Sequence, residues 1–308
     1  MSFLRAPERT LRAGGRNIEL GSRPWLMGII NASPDSFSDG GLHGTPAAQL
    51  ALAEQLVQAG ADVIDVGGES ATTGRPPVPA EQEAERVAPL VERVVAQTGA
   101  IVSVDTYKPA VARAAIAAGA GIVNDVSGLR DPLLAEVCAQ TGAALVVMHT
   151  LAAPRERLQD PELYGDVIEE VLSFLRGRME LALSLGVERE QLLVDPGPDF
   201  AKTPAQTITL LRHVGRLHEL GRPVLLAISR KDFIGALTER PPRERLGGTL
   251  AALAHGIDHG CHIFRVHDVA AAADFIAVRA ALSAGGPDPD ERLALAEHLR
   301  HQREVEDV

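Results

Sequence analysis

The sequence predicts a (β/α)8 barrel, the TIM-barrel fold, with a short N-terminal hairpin before it and an extra C-terminal helix after it. Three observations carry this expectation. Eight short runs rich in Val, Ile and Leu recur along the 308 residues, each followed by a stretch of helical composition. Each run is almost continuously apolar rather than alternating, as expected of parallel strands covered on both faces. Each also ends on or beside a polar residue, at the rim where such barrels carry their chemistry. A doubly wound open sheet is the alternative, but it usually carries a Gly-rich dinucleotide turn after its first strand, and none is present. No composition shift or low-complexity linker divides the chain. One domain, 1–308, with a core of about 20–285, is therefore expected.

In chain order, Thr10-Leu11 and Asn17–Leu20 flank Gly14-Gly15 and read as the hairpin. The strand candidates are Leu26–Asn31, Asp62–Gly67, Ile101–Asp105, Gly121–Asp125, Leu145–His149, Leu192–Asp195, Val224–Ser229 and His262–His267. Helical patterns separate them. Pro46–Ala59 and Ala80–Gln97 are rich in Ala, Glu, Gln and Leu, and Pro109–Ala118 places Pro in a first turn. Pro132–Gln140 follows Asp131, a good N-cap. Tyr164–Leu185 stops at Gly186 and Pro204–Leu220 at Gly221. Arg243–His259 and Val269–Ala284 complete the alternation, and Pro289–Gln302 is the extra helix.

Aromatic residues are only 3% of the chain, so the core has to be aliphatic. A net charge of −11 argues against nucleic-acid binding, which wants a basic footprint. It leaves room for an anionic substrate held by a local Arg/Lys cluster. Cys138 and Cys261 form neither a disulfide framework nor a metal-ligand spacing, and Met1–Arg16 carries no apolar run, so a cytoplasmic protein is expected. No apolar run is long enough to span a bilayer.

The strand-end polar residues are Asn31, Asp65, Asp105, Asn124, His149, Asp195, Ser229 and His267. Asp105, Asn124 and Asp195 converge if their strands lie parallel. Left unpaired, each such buried group would cost about 1–3 kcal/mol, so together they ask for a ligand rich in N–H donors. A fused pyrimidine with an amidine-like edge fits, because a carboxylate accepts two parallel hydrogen bonds from it. Ser229-Arg230-Lys231 and Arg265-Val266-His267-Asp268 place cations after the last two strands, where many barrels bind phosphate. Arg265 suits bidentate oxyanion contact, Lys231 a point charge and His267 a donor. The competing reading is surface pairing with Asp232 and Asp268.

The polar loop Asn31–Gly41 reads as an active-site lid or a plain loop, and Asp65–Pro77 is a second flexible loop carrying Arg75. A lone His149 reads as structural before catalytic. His255, His259 and His262 sit across a helix end, where coincidence explains their spacing better than a metal.

Met27–Gly41 resembles the opening signature of the dihydropteroate synthases, and Asp65-Val66-Gly67-Gly68-Glu69-Ser70 resembles their second. Ser103–Thr106, Asn124–Gly128, Asp195-Pro196-Gly197, Ser229-Arg230-Lys231 and Arg265–Val269 match the rest, in order, from about residue 10 to about residue 280. The resemblance implies condensation of 6-hydroxymethyl-7,8-dihydropterin diphosphate with 4-aminobenzoate. It assigns Asp105, Asn124, Met148, Asp195 and Lys231 to the pterin, and Asn31, Arg265 and His267 to the diphosphate. Mg²⁺ would lie near Asn31. Phe37, Thr73, Arg75, Phe200 and Ser229 would shape the aminobenzoate pocket. Asp105, Lys231 and Arg265 would be catalytic, and a homodimer is implied.

The chain departs from the family pattern in three places. The second loop reads Glu69-Ser70-Ala71-Thr72-Thr73-Gly74-Arg75-Pro76 where the family has Glu-Ser-Thr-Arg-Pro-Gly. Met148-His149-Thr150 replaces Met-His-Met, and Pro198-Asp199-Phe200-Ala201-Lys202 replaces a Gly-rich turn. These departures leave two further readings open: a pterin-binding paralogue without synthase activity, and a methyl-folate methyltransferase. The methyltransferase would not need Asn31, Arg265 and His267.

Overall fold

A computed structural model of the chain describes residues 6–32, 45–69 and 77–283. The hairpin is present: β1 (Arg9–Ala13) pairs antiparallel with β2 (Arg16–Leu20). The alternation then runs β3 (Trp25–Asn31), α1 (Pro46–Gln58), β4 (Val63–Gly67), α2 (Ala80–Thr98), β5 (Ile101–Asp105), α3 (Pro109–Ala117), β6 (Ile122–Asp125) and α4 (Leu133–Thr141). It continues with β7 (Ala144–Met148), α5 (Val167–Ser184), β8 (Leu192–Asp195), α6 (Pro204–Arg212), β9 (Leu225–Ala227), α7 (Asp232–Thr238), α8 (Leu246–Asp258), β10 (Ile263–Val266) and α9 (Val269–Leu282). The eight strands β3 to β10 are parallel in the order β8-β7-β6-β5-β4-β3-β10-β9. A parallel bridge between Val194 and Val224 joins the two ends of that order, so the sheet closes on itself.

Strand side chains alternate between faces, and this alternation sorts the core into two clusters. Met27, Val63, Ile122, Val146, Leu193 and Ile263 point inward and pack together. Leu11, Ala13, Ile18 and Leu20 of the hairpin join the same cluster, so the hairpin plugs the N-terminal end of the barrel. Ile64, Val66, Val102, Val147 and Val194 point outward against the helices. Two residues beyond an inward apolar residue, the next inward position falls on Asp65, Asn124, Met148, Asp195 and Arg265. The barrel thus has a dry lower layer and a polar upper one.

Several element bounds differ from the sequence expectation. The Pro204–Leu220 helix is α-helical only to Arg212, and a 3-10 helix follows over Val214–Leu220. Its buried residues are Val214, Leu217 and Leu220, a spacing of three that a 3-10 helix puts on one face. The Tyr164–Leu185 helix begins at Val167, because the Asp166 side chain accepts from the N–H groups of Ile168 and Glu169 and caps it there. Asp131 accepts from the Leu133 N–H (3.0 Å), although α4 starts one residue later than expected. The Arg243–His259 pattern opens with a short 3-10 turn at Pro242–Glu244 before α8. The seven-residue α7 is not anticipated in the sequence, being too short to display a helical period. The extra helix expected at Pro289–Gln302 lies outside the described residues. No described helix is long and apolar enough to cross a membrane.

His255, His259 and His262 are each tied to backbone. His255 Nε2 pairs with the Leu211 carbonyl (2.8 Å) and His259 Nδ1 with the His255 carbonyl (2.8 Å). His262 Nδ1 accepts from the Val224 N–H (3.0 Å), and its Nε2 donates to the Pro7 carbonyl (2.8 Å). These two bonds require a neutral ring. Burial holds the His262 imidazole down to about 4, with the neighbouring His218, Arg9 and Arg222 acting the same way. An unfolded His titrates near 6.5, so between those values the unfolded chain binds the extra proton. Stability conferred by the neutral ring is therefore present above pH ~6.5 and is lost as pH falls towards ~4. Urea unfolding at stepped pH will show that slope, and His262→Asn will flatten it.

Candidate active site

The upper layer is organised around Arg265. This residue lies on β10, two positions beyond the inward Ile263. Its Nε donates to Asp65 Oδ2 (2.6 Å) and its Nη2 to Asp105 Oδ2 (2.8 Å). Asn124 Nδ2 donates to the same Asp65 oxygen (3.1 Å). Four strands thereby meet through one guanidinium and one buried carboxylate. Asp65 is fully buried, and its Oδ1 has no hydrogen-bond partner. Burial pushes the Asp105 carboxyl up to about 7; Arg265 pulls it down, and the Asp65 charge adds to the rise. Asp65 is a strand-end residue in the sequence, yet nothing there marks it as the anchor of Arg265. The only hint is that it follows Val63 on the inward face.

Asp195 ends β8 on the same rim. Its Oδ1 accepts from the Gly197 N–H (2.7 Å), which closes the turn. Gly197 has φ +63°, and a Cβ there would stand 2.1 Å from the His149 carbonyl oxygen, so only glycine fits. Burial raises the Asp195 carboxyl to about 6 against the Gly197 N–H, Lys231 and Lys202. Lys231 Nζ lies 4.4 Å from the centre of the Phe200 ring, a cation–π distance. Burial pushes the Lys231 ammonium below its usual range, with Asp199 and Asp195 opposing.

Asn31, His267 and Ser229 complete the rim. A side chain at Gly67 would sit 3.6 Å from Asp105 Cβ and 3.9 Å from Asn31 Oδ1, so that glycine keeps the space between them open. Ser229 Oγ accepts from the His267 backbone N–H (3.2 Å) and pairs with His267 Nδ1 (2.9 Å). The hydroxyl thus engages both the amide and one ring nitrogen of His267, leaving Nε2 facing away from Ser229. Burial lowers the His267 imidazole to about 4, with Arg230 and Arg265 adding to the effect.

One cleft of about 750 Å³ opens between these strand ends. The structure thus brings together Asn31, Asp105, Asn124, Met148 and Asp195 with Phe200, Ser229, Lys231, Arg265 and His267. Phe37, Thr73 and Arg75 lie outside the described residues. Of the strand-end cations, only Arg230 makes the alternative surface pairing, with Asp268 (2.9 Å); Asp232 takes Arg245 (3.2 Å).

Sequence reasoning missed a second group of residues. Glu69, just past β4, accepts from the Val78 N–H (2.8 Å), Tyr107 Oη (2.9 Å), Lys108 Nζ (2.9 Å) and Arg155 Nη1. Lys108 also reaches Glu83 Oε2 (2.5 Å), whose other oxygen accepts from Thr106 Oγ1 (2.8 Å). Lys202 is a third omission, buried beneath the Asp195 turn. Residues so far apart in the chain share no local pattern.

The arrangement is a barrel-rim site with acceptors for a donor-rich heterocycle on one side and cations for an anion on the other. The model of the pterin binding enzyme family matches residues 27–267, and the chain belongs to that family. Within it, the chain is similar to dihydropteroate synthases. The synthase of Synechocystis sp. is 41% identical over 274 residues, spanning 88% of this chain and 94% of the relative. The Xanthomonas albilineans synthase with 4-aminobenzoic acid has a TM-score of 0.81 at 45% identity, covering 88% of this chain and 97% of that one. The same enzyme in complex with 7,8-dihydropteroate has a TM-score of 0.76 at 41% identity, covering 87% and 96%.

Removing one partner of a buried ion pair leaves the other charge uncompensated. Asp65→Ala should therefore lower the unfolding free energy by about 3–5 kcal/mol, measured by denaturant titration. A loss under about 1 kcal/mol, the range of exposed pairs, would count against Asp65 as the anchor of Arg265.

Proposed function

We propose that this chain joins 6-hydroxymethyl-7,8-dihydropterin diphosphate to 4-aminobenzoate, giving dihydropteroate and diphosphate, a transferase step of folate biosynthesis. One observation carries the reading: Asp105, Asn124, Asp195, Lys231 and Arg265, from five separate segments, line one cleft in a chain of this family. A methyl-folate methyltransferase would not call for the additional set Asn31, Arg265 and His267.

In this reading the pterin lies over Met148, with its amidine-like edge on Asp195 and further contacts to Asn124 and Lys231. Arg265 and His267 hold the diphosphate. The C–O bond to diphosphate breaks first, the electron pair leaving with the anion. The amine of 4-aminobenzoate then forms the new C–N bond and releases a proton. Arg265 and Lys231 offset the charge on the leaving group, and the Asp105 carboxylate stabilises the positive charge that develops on the pterin. Phe200 and Ser229, with Phe37, Thr73 and Arg75, form the aminobenzoate side.

Mg²⁺ is the metal we assign. The described residues hold no group of three His, Cys, Asp or Glu side chains that could cage a metal. Asn31 offers one amide oxygen at the rim, which suits a hard cation that takes oxygen ligands and arrives with substrate phosphates and water. When bound there, the ion would supply further charge compensation for diphosphate. We also take the chain as one domain, 1–308, acting as a cytoplasmic homodimer, which equilibrium sedimentation tests.

The reaction is tested by a coupled diphosphate-release assay with Mg²⁺. Release is expected only when 4-aminobenzoate is present, and Asp105→Asn should lower kcat by about 10²–10³-fold. Release independent of the arylamine would contradict the reading. The free enzyme's kcat/KM should fall as pH drops through about 7 and about 6, where Asp105 and Asp195 gain protons.

A further inference from the structure

Lys202 is fully buried, yet among the described residues it makes no ion pair. Its ammonium has three N–H donors and three neutral acceptors. It donates to the Gly197 carbonyl (2.9 Å), the Phe200 carbonyl (2.9 Å) and His149 Nδ1 (2.8 Å). Holding a charge away from water without a counter-ion is costly, and the three hydrogen bonds are what offset that cost here. The three acceptors show what the charge does. Two of them belong to the turn that follows β8, which lines the cleft with Asp195, Asp199, Phe200 and Ala201. The third belongs to β7.

His149 is the outward neighbour of the inward Met148. It packs edge-on against Phe174 of α5 (4.8 Å between ring centres) and lies 5.8 Å from Tyr164. Its backbone N–H donates to the Asp195 carbonyl (2.9 Å), so it is tied to the turn from both ends. Tyr164 Oη donates to the Ala201 carbonyl (2.8 Å) and closes the far side of the turn. Because Nδ1 accepts from Lys202, the His149 proton sits on Nε2, which is buried without a partner.

We propose that Lys202 and His149 are positioning residues for the reaction: the ammonium, cradled by the turn and steadied by the imidazole, sets the Asp195 carboxylate and the Phe200 ring relative to Lys231. Neither residue faces the cleft, so neither touches substrate. The charged groups around the ammonium are Asp195 and Asp199 on the turn and Lys231 from the segment before α7; the neutral His149 imidazole faces it from the end of β7. Around Asp195 they are Lys231, Lys202 and Arg265. Burial pushes the Lys202 ammonium down to about 7, so below that pH it is charged and has a second effect: it helps keep Asp195 ionised.

This inference rests on the synthase reading for its kinetic readout. Lys202→Met should lower kcat/KM for the pterin diphosphate by about 10²-fold through misplacement of the turn. It should also move the Asp195 acid limb of kcat/KM to higher pH. A loss of scaffolding alone would lower the rate equally at every pH. His149→Leu should reproduce the loss in kcat/KM. His149→Asn, whose amide oxygen can stand where Nδ1 stood, should recover most of it. If Lys202→Met does not fold, the two His149 variants decide the matter, with thermal melting as the control. Folded variants with wild-type kinetics and an unmoved limb would overturn the proposal. An inactive wild type that still binds the pterin diphosphate in calorimetry would count against the synthase reading alone. The same variants would then be scored by their affinity for that compound, and unchanged affinity would overturn the positioning role.

Discussion

One guanidinium between two carboxylates holds the upper half of this barrel together. Arg265 engages Asp65 with Nε and Asp105 with Nη2, and Asn124 binds back to Asp65. An arginine suits this place because its planar fork spends several donors in fixed directions and carries a weakly held hydration shell. The arrangement is short of positive charge by one unit. Burial raises the Asp105 carboxyl towards neutrality, and the unbalanced Asp65 charge adds to that rise. Positive charge brought close to Asp105 would favour its ionised form.

Strand parity then decides which strand-end groups take part. Met148 points into the cleft, while its neighbour His149 points at α5 and is held there by Phe174 and Lys202. Asn124 points inward, and Asp125 spends its carboxylate on the Ser127 and Leu129 N–H groups of the following turn. Asp195 is inward and Val194 is core. A shift of one residue in any of these strands would exchange the two roles. The dry lower layer, with the hairpin sealed beneath it, secures that register by burying Val63, Ile122, Leu193 and Ile263 on the same side.

Much of this was legible from local pattern. The eight apolar runs, their polar ends and the collinear motifs placed the barrel and its rim. Of the site residues named from the sequence, all those that fall in the described residues line the cleft, but Glu69, Tyr107 and Arg155 line it too and were not named. Local pattern failed where an element was too short or its period ambiguous, as with α7 and the 3-10 helix of Val214–Leu220. It also failed for supporting residues. Glu69, Lys108 and Arg155 look like solvated charges in the sequence, and Lys202 looks like any loop lysine.

By itself, then, the sequence determined the strand–helix alternation, the end of the barrel that carries chemistry, and the residue types gathered there. These follow from hydrophobic period and residue order, which are local properties. Only the tertiary structure decided the partners. Asp65 and Arg265 lie 200 positions apart, Glu69 and Arg155 86, and His149 and Lys202 53. Barrel closure brings such residues to bonding distance, and burial makes each unpaired alternative costly. That cost, set by the whole fold rather than by any segment, selects which charges become anchors and which remain free to meet a ligand.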